Sequence, residues 1–212
     1  MIGPLMPTGL AVSGPEELLP LPPLSLVLGG ARSGKSAFAE RLVLAAAQDS
    51  APVYIATAQL WDAEMEQRAA DHRQNRAGKG WETVETQGDP EALLWVLAET
   101  RDRPVLVDCL TLWLTGAMLG PEEHCDSSGV LHGFDEPGLI ADLCASLAAR
   151  SEGAPVVLVS NEVGLSLVPE TPLGRRFRDA QGRINAALAA QAALVLFTVA
   201  GLPVPLKRPP TV

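Results

Sequence analysis

The chain has 212 residues, of which 47% are hydrophobic and 19% charged, enough apolar material for one domain with a sizeable core and too little charge for wholesale disorder. Its formal net charge is −9 and it holds no block of Lys or Arg, which argues against a nucleic-acid partner held by phosphate contacts. An anionic ligand must therefore be met by a local cluster of positive groups.

Cys109, Cys125 and Cys144 are odd in number and lack CxxC spacing, so they read as free thiols of a protein in a reducing cytosol. No run of about 18 apolar residues occurs, and no membrane span is expected. The first 23 residues are rich in Pro, Leu and Gly and contain no Lys or Arg. They lack the positive region of a secretory signal and are expected to form a flexible extension (1–23) ahead of a single domain (24–208).

Along the chain, residues 24–28 form a short apolar run ending at a glycine pair and read as a buried parallel strand. A helix is expected over 36–47, then a strand over 53–57. A polar helix follows over 62–76, with Asp62 as its cap. The pattern predicts a helix over 91–100, a strand over 104–108 with an acidic end, and a loop over 121–137. A helix over 139–150, a strand over 155–159, a helix over 173–191 and a strand over 194–199 complete the main elements, with an edge piece at 204–206. Strands alternating with helices imply an α/β fold of the P-loop type, its mostly parallel sheet covered on both faces.

Gly29-Gly30-Ala31-Arg32-Ser33-Gly34-Lys35-Ser36 satisfies GxxxxGK(S/T) between an apolar strand and a helix, the context that gives the pattern its meaning. Glycines let the loop fold so that its N–H groups converge on phosphate oxygens, and the helix adds its positive end. Lys35 is expected to reach the β/γ-phosphates. Ser36 is expected to ligate Mg²⁺, with Asp108, at a strand end, as the acid on that ion.

On the helix expected over 62–76, Arg68, His72 and Arg76 lie four apart and share one face. Three potential cations together repel unless an anion relieves them. The two arginines favour neutral imidazole, the form able to attack phosphorus. A solvated helix face with an incidental histidine is the plainer alternative. Asn161-Glu162 follows a strand at the edge where open α/β sheets bind ligands, and reads as a substrate- or metal-positioning pair or as a turn cap. Arg175, Arg176, Arg178 and Arg183 read as a phosphate or subunit contact, or as a surface ion-pair cluster. His124, Cys125 and His132 share the loop, but their spacing fits no established zinc pattern. Trp113 and Phe177 are expected in the core.

From Leu26 to Lys207 the chain resembles the bifunctional adenosylcobinamide kinase / adenosylcobinamide-phosphate guanylyltransferase family. The segments that carry the resemblance are the phosphate loop, residues 54–59 (YIATAQ), Asp62-x-Glu64-Met65-x-x-Arg68 leading to His72, residues 107–114 (VDCLTLWL), and residues 160–164 (SNEVG). Val168-Pro169-Glu170, Arg176-Phe177-Arg178-Asp179 followed by Gly182-Arg183-x-Asn185, and Gly201-Leu202-Pro203 complete it.

The resemblance implies that His72 takes GMP from GTP and passes it to adenosylcobinamide phosphate. It also implies a kinase step in which ATP or GTP phosphorylates the hydroxyl of the corrinoid's aminopropanol arm. It places Thr57, Ala58, Gln59, Arg73, Gln74, Asn75, Arg76, Glu85 and Asp108 at the nucleotide. On chemical grounds Lys35 and Arg68 or Arg76 are expected to stabilise the leaving pyrophosphate. The resemblance further implies Mg²⁺ and a homo-oligomer, commonly a trimer. The chain departs from the family at Gly116, where Asn is frequent, at Leu165-Ser166-Leu167, at residues 77–81, and in the loop 121–137.

Overall fold

The computed structural model describes residues 11–47, 50–59, 67, 69–70, 73–74, 76–119 and 133–209. Among these residues the strands are β1 (Leu24–Gly29), β2 (Val53–Ala56), β3 (Glu82–Glu85), β4 (Val105–Asp108), β5 (Val156–Asn161), β6 (Leu194–Val199) and β7 (Leu202–Lys207). They form one sheet in the order β3-β2-β4-β5-β1-β6-β7. All neighbours pair in parallel except β6 and β7, which form an antiparallel hairpin. The helices are α1 (Lys35–Ala47), α2 (Pro90–Glu99), α3 (Leu110–Leu119), α4 (Glu136–Ala148) and α5 (Pro172–Gln191). This is the α/β, mostly parallel architecture that the alternation of strands and helices implied.

Because side chains alternate across a strand, the sheet builds a core on each face. Leu26, Leu28, Ile55, Val107 and Leu158 pack with Leu93, Trp113, Leu143, Ile184 and their neighbours from α2, α3, α4 and α5. On the other face Val27, Leu106, Val157 and Val159 pack with Phe38, Leu42 and Val43 of α1. Trp113 is fully buried and Phe177 partly so, as expected of core residues. Asp89, Asp135 and Thr171 each accept a hydrogen bond from a first-turn N–H of α2, α4 and α5, which fixes where those helices begin.

Several expectations change. The segment before β1 is packed as far back as residue 11: Val12 is 3% and Leu18 8% exposed, both in the α1-side core. A helical turn spans Pro15–Leu18, and the Val12 N–H donates to the Pro203 carbonyl at 2.8 Å. The flexible extension is thus corrected for residues 11–23, because two apolar side chains within a Pro-rich stretch find a groove against α1. α4 starts at Glu136, inside the expected loop, because Asp135 caps it and Pro137 suits a helix's first turn. β3 and α3 have no counterpart in the sequence pattern. Of the helix expected over 62–76, the described residues Gln67, Ala69, Ala70, Arg73, Gln74 and Arg76 are helical, and the rest lie outside the described residues.

Gly116 has a structural reason. A Cβ there would lie 2.4 Å from the Gly88 carbonyl oxygen and 2.5 Å from its Cα, because the turn ahead of α2 presses directly on α3. Gly88 itself has φ 77°, a conformation suited to glycine. Gly116→Ala is expected to cost about 1–3 kcal/mol of stability through this overpacking. A urea midpoint equal to that of the unaltered protein would show that the turn shifts freely.

Candidate active site

The phosphate loop leaves the carboxyl end of β1 and enters α1. Arg32 and Gly34 adopt positive φ (55° and 91°), so the chain reverses tightly over Gly29–Ser33. Neighbouring strands brace it. The Glu162 N–H donates to the Gly29 carbonyl at 3.1 Å, and the Gly201 N–H of the β6–β7 turn donates to the Ser33 carbonyl at 2.9 Å. A Cβ at Gly29 would meet Ser33 Oγ at 2.5 Å and the Thr198 carbonyl at 2.7 Å, so this position has no room for a side chain. Gly30, Ala31 and Arg32 are exposed at the loop's crest. Lys35 is 8% exposed and its Nζ donates to the Gly30 carbonyl at 3.2 Å, which holds the ammonium inside the loop.

Asp108 ends β4 beside this loop. Its Oδ1 accepts from Ser36 Oγ at 3.2 Å and its Oδ2 from the Tyr54 hydroxyl at 2.7 Å. The two residues expected at Mg²⁺ are therefore adjacent. A hydroxyl and a carboxylate are hard oxygen donors and fit that ion, which characteristically takes one or two protein ligands and fills its shell with water and phosphate. No group of three or more His, Cys, Asp or Glu that could enclose a metal occurs among the described residues.

Tyr54 connects this edge to the residues beyond β2. Its ring lies beneath the Arg76 guanidinium, whose Cζ is 3.5 Å from the ring centroid, and it meets the edge of Trp81 with centroids 5.7 Å apart. Burial first, and then the Asp108 charge, push the Tyr54 phenol well above its usual range, so it serves Asp108 as a donor. Arg76 is 4% exposed, and its Nε and Nη1 lack a hydrogen-bonding partner. Its charge is met by an aromatic face.

The other expected nucleotide residues that are described follow β2, end β3 or lie on the helical segment after β2. Thr57 is fully buried, with its Oγ1 donating to the Cys109 carbonyl at 2.6 Å, and Ala58 and Gln59 follow it half-buried. Arg73 and Glu85 pair at 2.7 Å on the surface, and Gln74 is exposed. Arg73, Arg76, Gly78 and Trp81 line a cavity of about 250 Å³ beside β3. His72, Arg68 and Asn75 lie outside the described residues, as do His124, Cys125 and His132.

Cys109 is buried and free; burial and the Asp108 charge push its thiol up to about 11, so it is no nucleophile at neutral pH. Cys144 is likewise free.

Sequence reasoning gave Tyr54 a place in a strand and in the family segment 54–59 but no role, because its bond to Asp108 depends on the pairing of β2 with β4. At Asn161-Glu162 the backbone is tied into the scaffold, while the buried Asn161 Oδ1 has no hydrogen-bonding partner. The Asn161 N–H donates to Thr111 Oγ1 at 2.9 Å, and Glu162 Oε1 accepts from the Gly164 N–H at 2.7 Å, the turn-cap alternative. Of the arginines, Arg183 makes a two-point pair with Glu136, and Arg175 donates to the carbonyls of Pro169 and Glu170. Arg178 lies 3.5 Å from its neighbour Asp179.

Residues 25–206 match the family described as cobinamide kinase / cobinamide phosphate guanyltransferase. The chain belongs to that family. The bifunctional adenosylcobalamin biosynthesis protein CobP of Pseudomonas aeruginosa is 46% identical over 187 residues, covering 87% of this chain and 98% of that protein. The corresponding protein CobU of Escherichia coli is 39% identical over 183 residues, covering 86% and 98%. Among solved structures, the flagellar accessory protein FlaH of Methanocaldococcus jannaschii superposes with a TM-score of 0.50 at 11% identity, covering 88% of this chain and 78% of that one. That likeness concerns the fold alone. The chain is a cobinamide kinase and cobinamide-phosphate guanylyltransferase of adenosylcobalamin biosynthesis, with the P-loop that such chemistry requires. No helix among its described residues is long and apolar enough to cross a membrane.

Proposed function

We propose that the chain carries out both reactions at the edge built by the phosphate loop and Asp108, and that guanylyl transfer passes through a covalent GMP on His72. The observation that supports this reading best is the convergence of Lys35, Ser36 and Asp108, two contacts away from Arg76 on the segment that bears His72. In the kinase step the hydroxyl of adenosylcobinamide attacks the γ-phosphorus of ATP or GTP. The bond to the bridging oxygen breaks, the nucleoside diphosphate leaves, and the hydroxyl proton passes to solvent.

In the transfer step a neutral His72 nitrogen attacks the α-phosphorus of GTP and pyrophosphate departs. The phosphate of adenosylcobinamide phosphate then attacks the same phosphorus, releasing histidine and forming adenosylcobinamide-GDP. Two displacements suit imidazole, a good nucleophile whose phosphoramidate is reactive enough to pass GMP on. Lys35 and the loop N–H groups stabilise charge on the departing phosphates. Mg²⁺ held by Ser36 and Asp108 would supply further neutralisation there. On this reading Arg73 and Glu85 orient the nucleotide, and Arg68 and Arg76 are the candidates for the pyrophosphate.

On this reading residues 24–208 act as one catalytic domain. The protein works in the cytoplasm and assembles as a homo-oligomer, a trimer by family resemblance, with no nucleic-acid partner.

The test is incubation with Mg²⁺ and GTP radiolabelled on the α-phosphorus. An acid-labile, base-stable adduct is expected on the unaltered protein and none on His72→Ala, which should retain kinase turnover. Absence of label from protein that binds GTP would remove His72 from the mechanism.

A further inference from the structure

We propose that Tyr54 is a positioning residue of the phosphate-transfer site, orienting Asp108 for the cation through its hydroxyl and linking that orientation to Arg76 through its ring. The inference deepens the proposed function and rests on its reading of Ser36 and Asp108 as the Mg²⁺ ligands.

The sheet explains how Tyr54 reaches its partner. Tyr54 lies opposite Leu106 in the parallel pairing of β2 with β4, so Asp108, two residues further on, projects from the same face. The hydroxyl occupies Oδ2 at 2.7 Å and leaves Oδ1 towards Ser36. A strand-end carboxylate is otherwise free to rotate about its last bond, exchanging its two oxygens. The hydrogen bond removes that freedom.

The ring cannot swing away either, because Tyr54 is 3% exposed. Arg76 covers one face at 3.5 Å and Trp81 meets it edge-on at an interplanar angle of 87°. Ser36, Asp108, Tyr54 and Arg76 thus form a continuous run of contacts. It joins the phosphate loop to the segment carrying the guanylylated histidine of the proposed mechanism. A displacement of Arg76 would be felt at the carboxylate.

The experiment uses the full chain and a non-hydrolysable GTP analogue, with affinity measured by calorimetry without metal and with Mg²⁺. The unaltered protein should bind the Mg²⁺-loaded analogue more tightly, and the ratio of the two dissociation constants is the readout. Tyr54→Phe keeps the ring against Arg76 and Trp81. It should reduce that ratio about tenfold, the weight of one hydrogen bond to a charged group, while leaving metal-free affinity unchanged. In an Asp108→Asn background the same substitution should change nothing further, since its effect runs through that carboxylate.

Tyr54 is the chain's one tyrosine, so fluorotyrosine labels it alone. Its fluorine resonance should move when Mg²⁺ is added to the analogue complex, a readout that needs no variant. A wild-type ratio of one would overturn the metal reading and this inference with it. A wild-type ratio above one that Tyr54→Phe leaves in place, equal weakening with and without metal, or an unmoved fluorine resonance would overturn this inference alone.

Discussion

Lys35→Ala is expected to lower kcat/KM of the kinase and of the guanylyl transfer together, each by about a hundred- to a thousandfold, the usual loss when a preorganised donor at a developing anion is removed. The chain has one GxxxxGK(S/T) loop, and Lys35 is 8% exposed within it, held at the Gly30 carbonyl. Alanine removes the ammonium and leaves the glycine geometry that folds the loop. Steady-state assays of both reactions, with thermal melting as the folding control, would check this. Loss of one activity with the other intact would mean that the two reactions meet different phosphate-binding groups.

The second large effect concerns stability. Arg150 is 1% exposed and donates to the Leu97 carbonyl, to the Thr100 carbonyl at 2.8 Å and to the Arg103 carbonyl at 3.2 Å. Burial pushes its guanidinium down to about 10, so it remains charged at neutral pH. It closes the carboxyl end of α2, where a helix leaves carbonyls without partners and favours a cation. Arg150→Met keeps the stem and strips the donors. With unsatisfied buried carbonyls costing about 1–3 kcal/mol each and water reaching some of them, a loss of about 3–4 kcal/mol is expected. That corresponds to a fall in Tm of about 10 °C for a chain of this size. Both activities should survive at low temperature, because the cluster lies at the amino ends of β4 and β5, whereas the phosphate loop leaves the carboxyl end of β1. A melting curve that does not move would show that the carbonyls find water.

The fold was legible where the determinants are local. β1 and the phosphate loop could be read because an apolar run meets a glycine pattern whose spacing has a direct physical meaning. β3 could not: Glu82-Thr83-Val84-Glu85 is polar and mostly exposed, and becomes a strand only because β2 offers it an edge. α3 escaped for the opposite reason. Leu110–Leu119 is apolar all round and buried between the sheet and other helices, so it lacks the polar face that gives helical periodicity.

The site divides in the same way. Lys35, Ser36 and Asp108 were visible from the sequence, since strand–loop–helix order and a strand-end acid are read along the chain. Tyr54 was not, because its function depends on strand pairing, and the contact between Gly88 and Gly116 depends on a turn reaching a helix. Arg76 was expected to face a phosphate with two other cations. Its place on the Tyr54 ring is again a tertiary property, one that helical spacing alone does not convey.

The outermost strand, β7, bears on how copies of this chain can come together. Val12 takes the Pro203 carbonyl from the side away from β6, so residue 203 turns its backbone polar groups outward, and Pro205, two residues on, shares that orientation. Proline has no N–H to offer at either position. An incoming strand would find donors missing at two consecutive outward sites and one acceptor already occupied. Extension of the sheet by edge-to-edge addition at this side is therefore disfavoured, which helps to protect the folded chain from open-ended association. Assembly of subunits is better served by side-chain contacts on helices, loops or the opposite edge.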